Sequence, residues 1–360
     1  MKKTIVHFIN DLNRGGAEKM LVTVTRELSE YNNIIVTLDK ANSFKEELVC
    51  DQYICLNAPS PFAFPLAAIK LRKLINKHKP DIVHTHLFWP TFIARIATPK
   101  KIPLITTIHL FVASSMEYKI RHVRWLDRIS YRLRKSSIIA VAKGALNEYF
   151  SFLKLKPYKA YPLYTFVDTT VFNNANILPL QSNDTFKLIA VGTLKEQKNF
   201  QYYINAFKQL RNEKIELHVY GSGHLEADLK KSLQENNITN IVLKGMVENI
   251  NEIIPQYDLF TMASHYEGFS LAVLEAMALG MPMLLSDIDS FKEQCADTAI
   301  YFDLNNINDF VAKLKSLCTN KLKLQQMGNN AKQRVLANFT LEHHLKGLRS
   351  IYAEILKQPD

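Results

Sequence analysis

At 360 residues, with 47% hydrophobic and 22% charged content, the chain has the make-up of a globular protein with two domain-sized cores. No run of about 18 apolar residues occurs, which excludes a spanning helix. The four scattered cysteines (Cys50, Cys55, Cys295, Cys318) form no C-x-x-C pair and argue for a reducing cytoplasm over a disulfide scaffold. Residues 1–170 carry 26 Lys+Arg against 13 Asp+Glu and residues 171–360 carry 19 against 21, so an anionic partner is expected for the first half.

The basic start precedes an apolar run of only Ile5 to Ile9, broken by His7, too short for a secretory signal core and read as a first strand. A helix is predicted after Gly15-Gly16 (AEKMLVTVTRELSEY), then a strand (IIVTL), a helix ending at Pro80 and strands DIVHTH, PLITTIH and IIAVA. Residues 162–185, rich in Pro, Asn, Asp and Thr, read as an interdomain linker. The alternation then restarts with FKLIAVGT, a helix near NFQYYINAFKQLRN, ELHVYGSG, NIVLKGM, DLFTMAS, a helix in SLAVLEAMALG and PMLLSD. The tail is an amphipathic helix with Leu345, Leu348, Ile351, Tyr352 and Ile355 on one face. Strands alternating with helices imply parallel sheets covered on both faces, that is, two doubly wound α/β domains. In such sheets ligands bind beyond the carboxyl ends of the strands, where each motif below falls.

In NRGGAEKM, Gly15 and Gly16 allow close backbone approach, and the helix start that follows suits anionic groups; a plain strand-to-helix turn would look the same. The absence of G-x-G-x-x-G argues against a nicotinamide dehydrogenase. Lys195 and Lys198 in VGTLKEQKN offer point charges for phosphate, though solvated lysines fit equally. Gly221 and Gly223 in YGSG read as turn chemistry. In EGFSLAVLEAMALGMP, Gly268 precedes a helix with Ser270 as N-cap, so Glu267 lies in the loop and Glu275 within the first two turns. Amides around Ser270 to Val273 then face a diphosphate, and Glu275 can accept ribose hydroxyls; a capping acid plus a helix-face acid is the plain alternative.

His84, His86 and His109 end two strands and read as polar cleft residues rather than metal ligands, with no carboxylate near in sequence. Asp287-Ile-Asp289 resembles a metal-binding D-x-D, a pattern short enough to recur by chance. In residues 118–135, Ile120, Val123, Leu126, Ile129 and Leu133 make a helical stripe expected to pack on the sheet, leaving seven cations for phosphate or an anionic membrane. No aromatic-basic recognition motif speaks for nucleic acid.

The segment from Glu267-Gly-Phe to Glu275-Ala resembles the E-x7-E segment of glycosyltransferase family 4, retaining enzymes of the two-domain GT-B fold. RGGAEKM, DIVHTH, TIH, FVDTTVF, VGTLKEQKN, GSG and the C-terminal helix extend that resemblance over nearly the whole chain. It implies two Rossmann-like domains facing across a cleft: 1–166, completed by a returning helix at 341–360, and 167–340. It further implies transfer of a sugar from a nucleotide-diphosphate sugar, a UDP-sugar above all, to a hydroxyl of a lipid-linked or cell-surface glycan precursor. No cofactor or metal is implied, and a cytoplasmic enzyme, peripheral on the inner face of the plasma membrane, is expected.

By the same resemblance Glu267 holds the donor sugar, Glu275 the ribose, and amides from Gly268 through Phe269, Ser270 and Leu271 the diphosphate. Lys198 is the phosphate lysine, His109 the first-domain histidine beside the sugar, and Gly16, with Gly15, the loop near diphosphate and acceptor. One departure stands out: after Gly192, where the family has arginine, this chain has Thr193, and Lys195 is the substitute at hand. That departure also admits a non-catalytic nucleotide-sugar or glycan-binding protein of the same fold.

Overall fold

A computed structural model describes residues 2–13, 15–169 and 185–357; most of the expected linker, 170–184, lies outside the described residues. The chain divides into two compact units, residues 1–165 with 342–360, and residues 166–341.

The first unit is a parallel sheet in the order β3-β2-β1-β4-β5-β6-β7. Its strands are β1 (Thr4–Ile9), β2 (Asn32–Thr37), β3 (Gln52–Cys55), β4 (Ile82–His86), β5 (Leu104–Ile108), β6 (Ser137–Ala140) and β7 (Lys159–Pro162). The inner strands are buried along almost their whole length, as parallel strands covered on both faces must be. Alternate residues face opposite layers. Val6, Phe8 and Val36 pack on α2 (Phe64–His78) and α3 (Phe88–Ala97), through Leu71, Ile75 and Ile93. Ile9 and Ile35 pack on the other side against Leu21 and Val22 of α1 (Gly16–Glu27). Truncating a fully buried residue such as Leu71 to alanine would cost about 2–5 kcal/mol.

The helix expected over 118–135 is divided. A single turn, Met116–Lys119, precedes α4 (Arg121–Leu133), and α5 (Lys143–Phe152) follows β6. The apolar stripe does not pack on the sheet. α4 turns Val123, Asp127, Ser130 and Tyr131 inward, while Ile120 and Leu133 stay exposed. The cause is Asp127: it pairs with the buried Arg95 of α3 and accepts from Tyr118 (2.6 Å) and Tyr149 (3.1 Å). A buried charge without its partners is far costlier than exposed leucine, so the ion pair phases the helix.

The second unit repeats the plan, with parallel strands in the order β10-β9-β8-β11-β12-β13. They are β8 (Phe186–Val191), β9 (Ile215–Tyr220), β10 (Ile241–Gly245), β11 (Leu259–Met262), β12 (Met283–Ser286) and β13 (Ile300–Phe302). Leu188, Ala190, Leu217 and Val219 pack against Tyr203 and Phe207 of α6 (Phe200–Phe207) and Leu314 of a later helix. The helices that follow are α7 (Glu226–Glu235), α8 (Leu271–Ala278), α9 (Asp289–Cys295), α10 (Ile307–Cys318) and α11 (Lys321–Asn338). The final helix, α12 (Leu341–Leu356), belongs with the first unit, burying His344, Leu345, Leu348, Ile351, Tyr352 and Ile355. In both sheets the strand order reverses beside the first strand of the unit, between β1 and β4 and between β8 and β11. Such a switch point opens the crevice in which open α/β sheets bind ligands.

Candidate functional site

In the second unit, the two loops flanking the switch point bring Lys198 and Glu267 together. β8 ends at Val191, and a single 3-10 turn, Glu196–Lys198, follows before Asn199 (φ 51°) turns the chain into α6. A Cβ on Gly192 would stand 3.1 Å from Lys198 Cε, so this glycine makes the slot along which the lysine stem lies. Lys198 Nζ donates to Glu267 Oε1 at 2.7 Å, and Ser264 Oγ donates to the same oxygen at 2.7 Å. Both bonds land on Oε1; Oε2 takes neither. The side chains are only 12% and 8% exposed, which makes this a charge pair held largely away from water.

The loops are also stapled through their backbones. His265 N donates to Gln197 O at 2.9 Å, and Gln197 Nε2 to Tyr266 O at 2.8 Å. Beneath them, YGSG is more than a turn. A Cβ on Gly221 would fall 2.0 Å from Gly192 O and one on Gly223 2.3 Å from Leu194 O, so backbone packs on backbone there. Lys195 is partly buried, and burial, followed by the nearby Lys198 ammonium, lowers its pKa; Thr193 is exposed.

The helix after Glu267 begins as the sequence suggests. Ser270 is the N-cap of α8, its hydroxyl accepting from Val273 N. Leu274 N reaches Ser270 O, so the amides of Leu271 and Ala272 stand outside the helix ladder at its positive end. Gln294 of α9, fully buried, grips both sides of Ser270: it accepts from Ser270 N at 3.0 Å and donates to Ser270 O at 2.9 Å. No sequence signal singled out Gln294, because its partners are backbone atoms distant in the chain. Phe269 is buried edge-on against Phe339, which fixes the turn at Gly268. Glu275 is partly buried on the second turn of α8.

In the first unit, Gly15 precedes α1 in extended backbone, and Glu18 folds back so closely that a Cβ on Gly15 would meet its carboxylate at 2.2 Å. Burial raises the Glu18 pKa. Gly16 is the first residue of α1. His109 follows β5, with its Nε2 3.1 Å from His86 Nδ1. His84, the register partner of His7, bonds Tyr352 of α12 and Thr107, each at 2.7 Å. Burial drives His7 and His344 down to about 4 and His109 to about 3, so all three are neutral at pH 7.

Ring nitrogens of His7, His84 and His86 lie within 4.8 Å of one another. Both nitrogens of His84 are engaged, so a metal there would have to displace the Tyr352 or Thr107 bond. His109 is therefore joined to His86, whereas His7, rather than His109, completes the closest trio. Asp287 pairs with Lys292, and Asp289 opens α9, so this D-x-D is a surface ion pair and a helix start.

The family described as Glycosyltransferase Family 4 matches residues 14–171, and Glycosyl transferases group 1 matches residues 177–334. UDP-Gal:alpha-D-GlcNAc-diphosphoundecaprenol alpha-1,3-galactosyltransferase of Escherichia coli is 28% identical over 308 residues, 80% of this chain and 79% of that one. An N-acetylgalactosamine-N,N'-diacetylbacillosaminyl-diphospho-undecaprenol 4-alpha-N-acetylgalactosaminyltransferase of Campylobacter jejuni is 24% identical, over 92% of this chain and 94% of its own. The structure of HepE from Anabaena, in complex with UDP and glucose, shares the fold at a TM-score of 0.83 and 14% identity, covering 97% of this chain and 99% of that one. Two Rossmann-like parallel-sheet units and these matches over both halves establish that the chain belongs to glycosyltransferase family 4, with the GT-B fold, and is a glycosyltransferase.

Proposed function

We propose that the protein transfers a sugar from a nucleoside-diphosphate sugar, a UDP-sugar, to a hydroxyl of a lipid-linked glycan precursor, with the anomeric configuration retained. The observation that carries this reading is the Lys198–Glu267 pair at the switch point, directly before the capped start of α8. Lys198, the Leu271 and Ala272 amides and the positive end of α8 supply positive charge for a departing diphosphate. Lys195, close enough to Lys198 to feel its charge, supports a second cation in place of the arginine missing at Thr193. With that charge supplied by the protein, the reading needs no metal.

Glu267, held through Oε1, keeps Oε2 for sugar hydroxyls, and Glu275 one turn on accepts from the ribose. In the first unit, neutral His109 can offer a hydrogen bond without adding charge. Retention then proceeds at the front face: the leaving phosphate oxygen takes the acceptor's proton as the new bond forms, and no side chain serves as nucleophile. The E. coli and C. jejuni relatives, both named for undecaprenol-linked diphosphates, support the lipid-linked acceptor. Among the described residues no helix is long and apolar enough to cross a membrane, which goes with a peripheral enzyme on the cytoplasmic side.

The test is slow hydrolysis of UDP-galactose, UDP-glucose and UDP-N-acetylglucosamine by the protein alone, followed by proton NMR of the first sugar released. An α anomer from one of these α-linked donors is expected. A β anomer would overturn retention, and donor that binds without ever being consumed would return the chain to a binding role.

A further inference from the structure

We infer that the face made by α2, α3 and α4 is a membrane-docking surface, with a groove that takes one hydrocarbon chain of an anionic phospholipid bilayer. It rests on the lipid-linked acceptor reading for its purpose, but its geometry stands by itself. Residues 61–135 contain 15 Lys+Arg and only 3 Asp+Glu, so this segment carries nearly all the positive excess of the first half. Of those three acids, Asp127 is spent inside on Arg95.

The same segment holds apolar side chains in water. Because Asp127 phases α4, only Val123 of its stripe is buried: Leu126 and Ile129 are part-exposed and Leu133 is 75% exposed, while Trp125 beside the stripe and Ile96 of α3 are each 60% exposed. Between α3 and α4 lies a groove of about 580 Å³ lined by apolar Phe92, Ile96, Leu126, Ile129 and Leu133 and by polar side chains, among them the cations Arg72, Arg95, Lys100 and Arg134. Along α2 the apolar exposure continues through Leu66 and Ile69 to Phe62, which is 98% exposed. A monomer seldom leaves such a patch uncovered without a use for it.

Cations ringing exposed apolar side chains, with almost no acid among them, complement a surface that is anionic outside and hydrocarbon within. A nucleic acid would answer the charge but leave the leucines in water. A second copy of this chain would set the same cations against each other. Lysine and arginine stems can lie along the groove wall while their heads stay at the phosphates.

Flotation of the full chain with phosphatidylcholine–phosphatidylglycerol vesicles, against phosphatidylcholine alone, tests the surface without any acceptor present. Binding to the anionic vesicles is expected, weakening with salt. Lys73 of α2, Lys100 after α3 and Arg132 of α4 are all exposed, and Lys73→Glu/Lys100→Glu/Arg132→Glu should weaken binding at least ~100-fold, since each cation near such a surface contributes about fivefold. Ile96→Gln/Leu133→Gln should also release the protein. In a Trp89→Phe background, the emission of Trp125 should shift to the blue on vesicle addition, a reading that leaves the groove itself intact.

Three results would overturn the inference: a wild-type chain that stays with the buffer, an Ile96→Gln/Leu133→Gln variant that floats unchanged, or a Trp125 signal that does not move. Because the vesicles carry no acceptor, any of these leaves the transfer reading standing, and loss of transfer would leave this one.

Discussion

Replacing Lys198 and Glu267 singly and together separates a structural ion pair from one that serves a donor. The carboxylate and ammonium meet at 2.7 Å with 8% and 12% of their side chains exposed. Lys198→Met leaves Glu267 charged beside a single hydroxyl, and Glu267→Leu leaves the ammonium without its carboxylate. Each orphaned charge costs about 3–5 kcal/mol. At ~2–4 °C per kcal/mol for a domain of this size, each single variant should melt about 6–20 °C lower. Together the two substitutions replace the pair by apolar side chains of similar volume, which is often close to neutral. The double variant should therefore recover most of the lost stability, with a coupling of at least ~2 kcal/mol in a double-mutant cycle followed by calorimetry.

Activity should not recover. Removing one charge-stabilising group from a transition state costs roughly 10²–10³ in kcat, so the stable double variant should remain at least that much slower in donor consumption. Two results would count against a donor-serving pair. If the single effects simply add, the pair is not coupled as the distances imply. If the double variant regains stability and turnover together, the pair is only a strut.

Gln294→Leu strips both hydrogen bonds from the Ser270 peptide inside the core; unfolding stability should fall by about 2–4 kcal/mol, and nucleotide affinity with it, while a variant of unchanged melting temperature would show that the clamp is idle. The histidines of the first unit predict an acid-sensitive fold. His7 and His344 have folded values of about 4 against 6.5 for a free imidazole, so between those values the unfolded chain binds more protons. Stability is then fully present above about pH 6.5 and is lost as pH falls toward 4. Urea unfolding from pH 7 to 4.5 should show the decline, and His7→Gln should flatten it; a flat wild-type profile would contradict the neutral, buried assignment.

Much of this was legible in the sequence because parallel strands announce themselves as unbroken apolar runs. β1, β4, β5, β8 and β11 come close to that pattern, broken only by His7 in β1, by His84, Thr85 and His86 in β4 and by threonine or lysine in the others, and the loops that follow them held the motifs. The strands missed are the edge strands β3, β7 and β13, half exposed and short, where burial imposes little pattern on residues such as Lys159 or Gln52. Ser270 as N-cap was readable because capping is local; Gln294 was not, because its partners lie 24 residues away. The stripe on α4 misled for a physical reason. Apolar spacing predicts the inward face only when nothing stronger competes, and Asp127 buried against Arg95 does compete. The glycines of YGSG looked like turn residues, yet their tolerance for backbone contact at Gly192 and Leu194 appears only once β8 and β9 are neighbours.

On the function proposed above, the start of α8, with Lys198 and Glu267 before it and Glu275 within it, holds a nucleoside-diphosphate sugar. Calorimetric titration of UDP into the wild-type protein and into Glu275→Ala is the test. Binding to the wild type is expected, with a loss of about 10- to 100-fold in affinity in the variant, as for hydrogen bonds to a charged group. Equal UDP affinity in both proteins, or no heat with UDP, GDP or ADP in either, would contradict it.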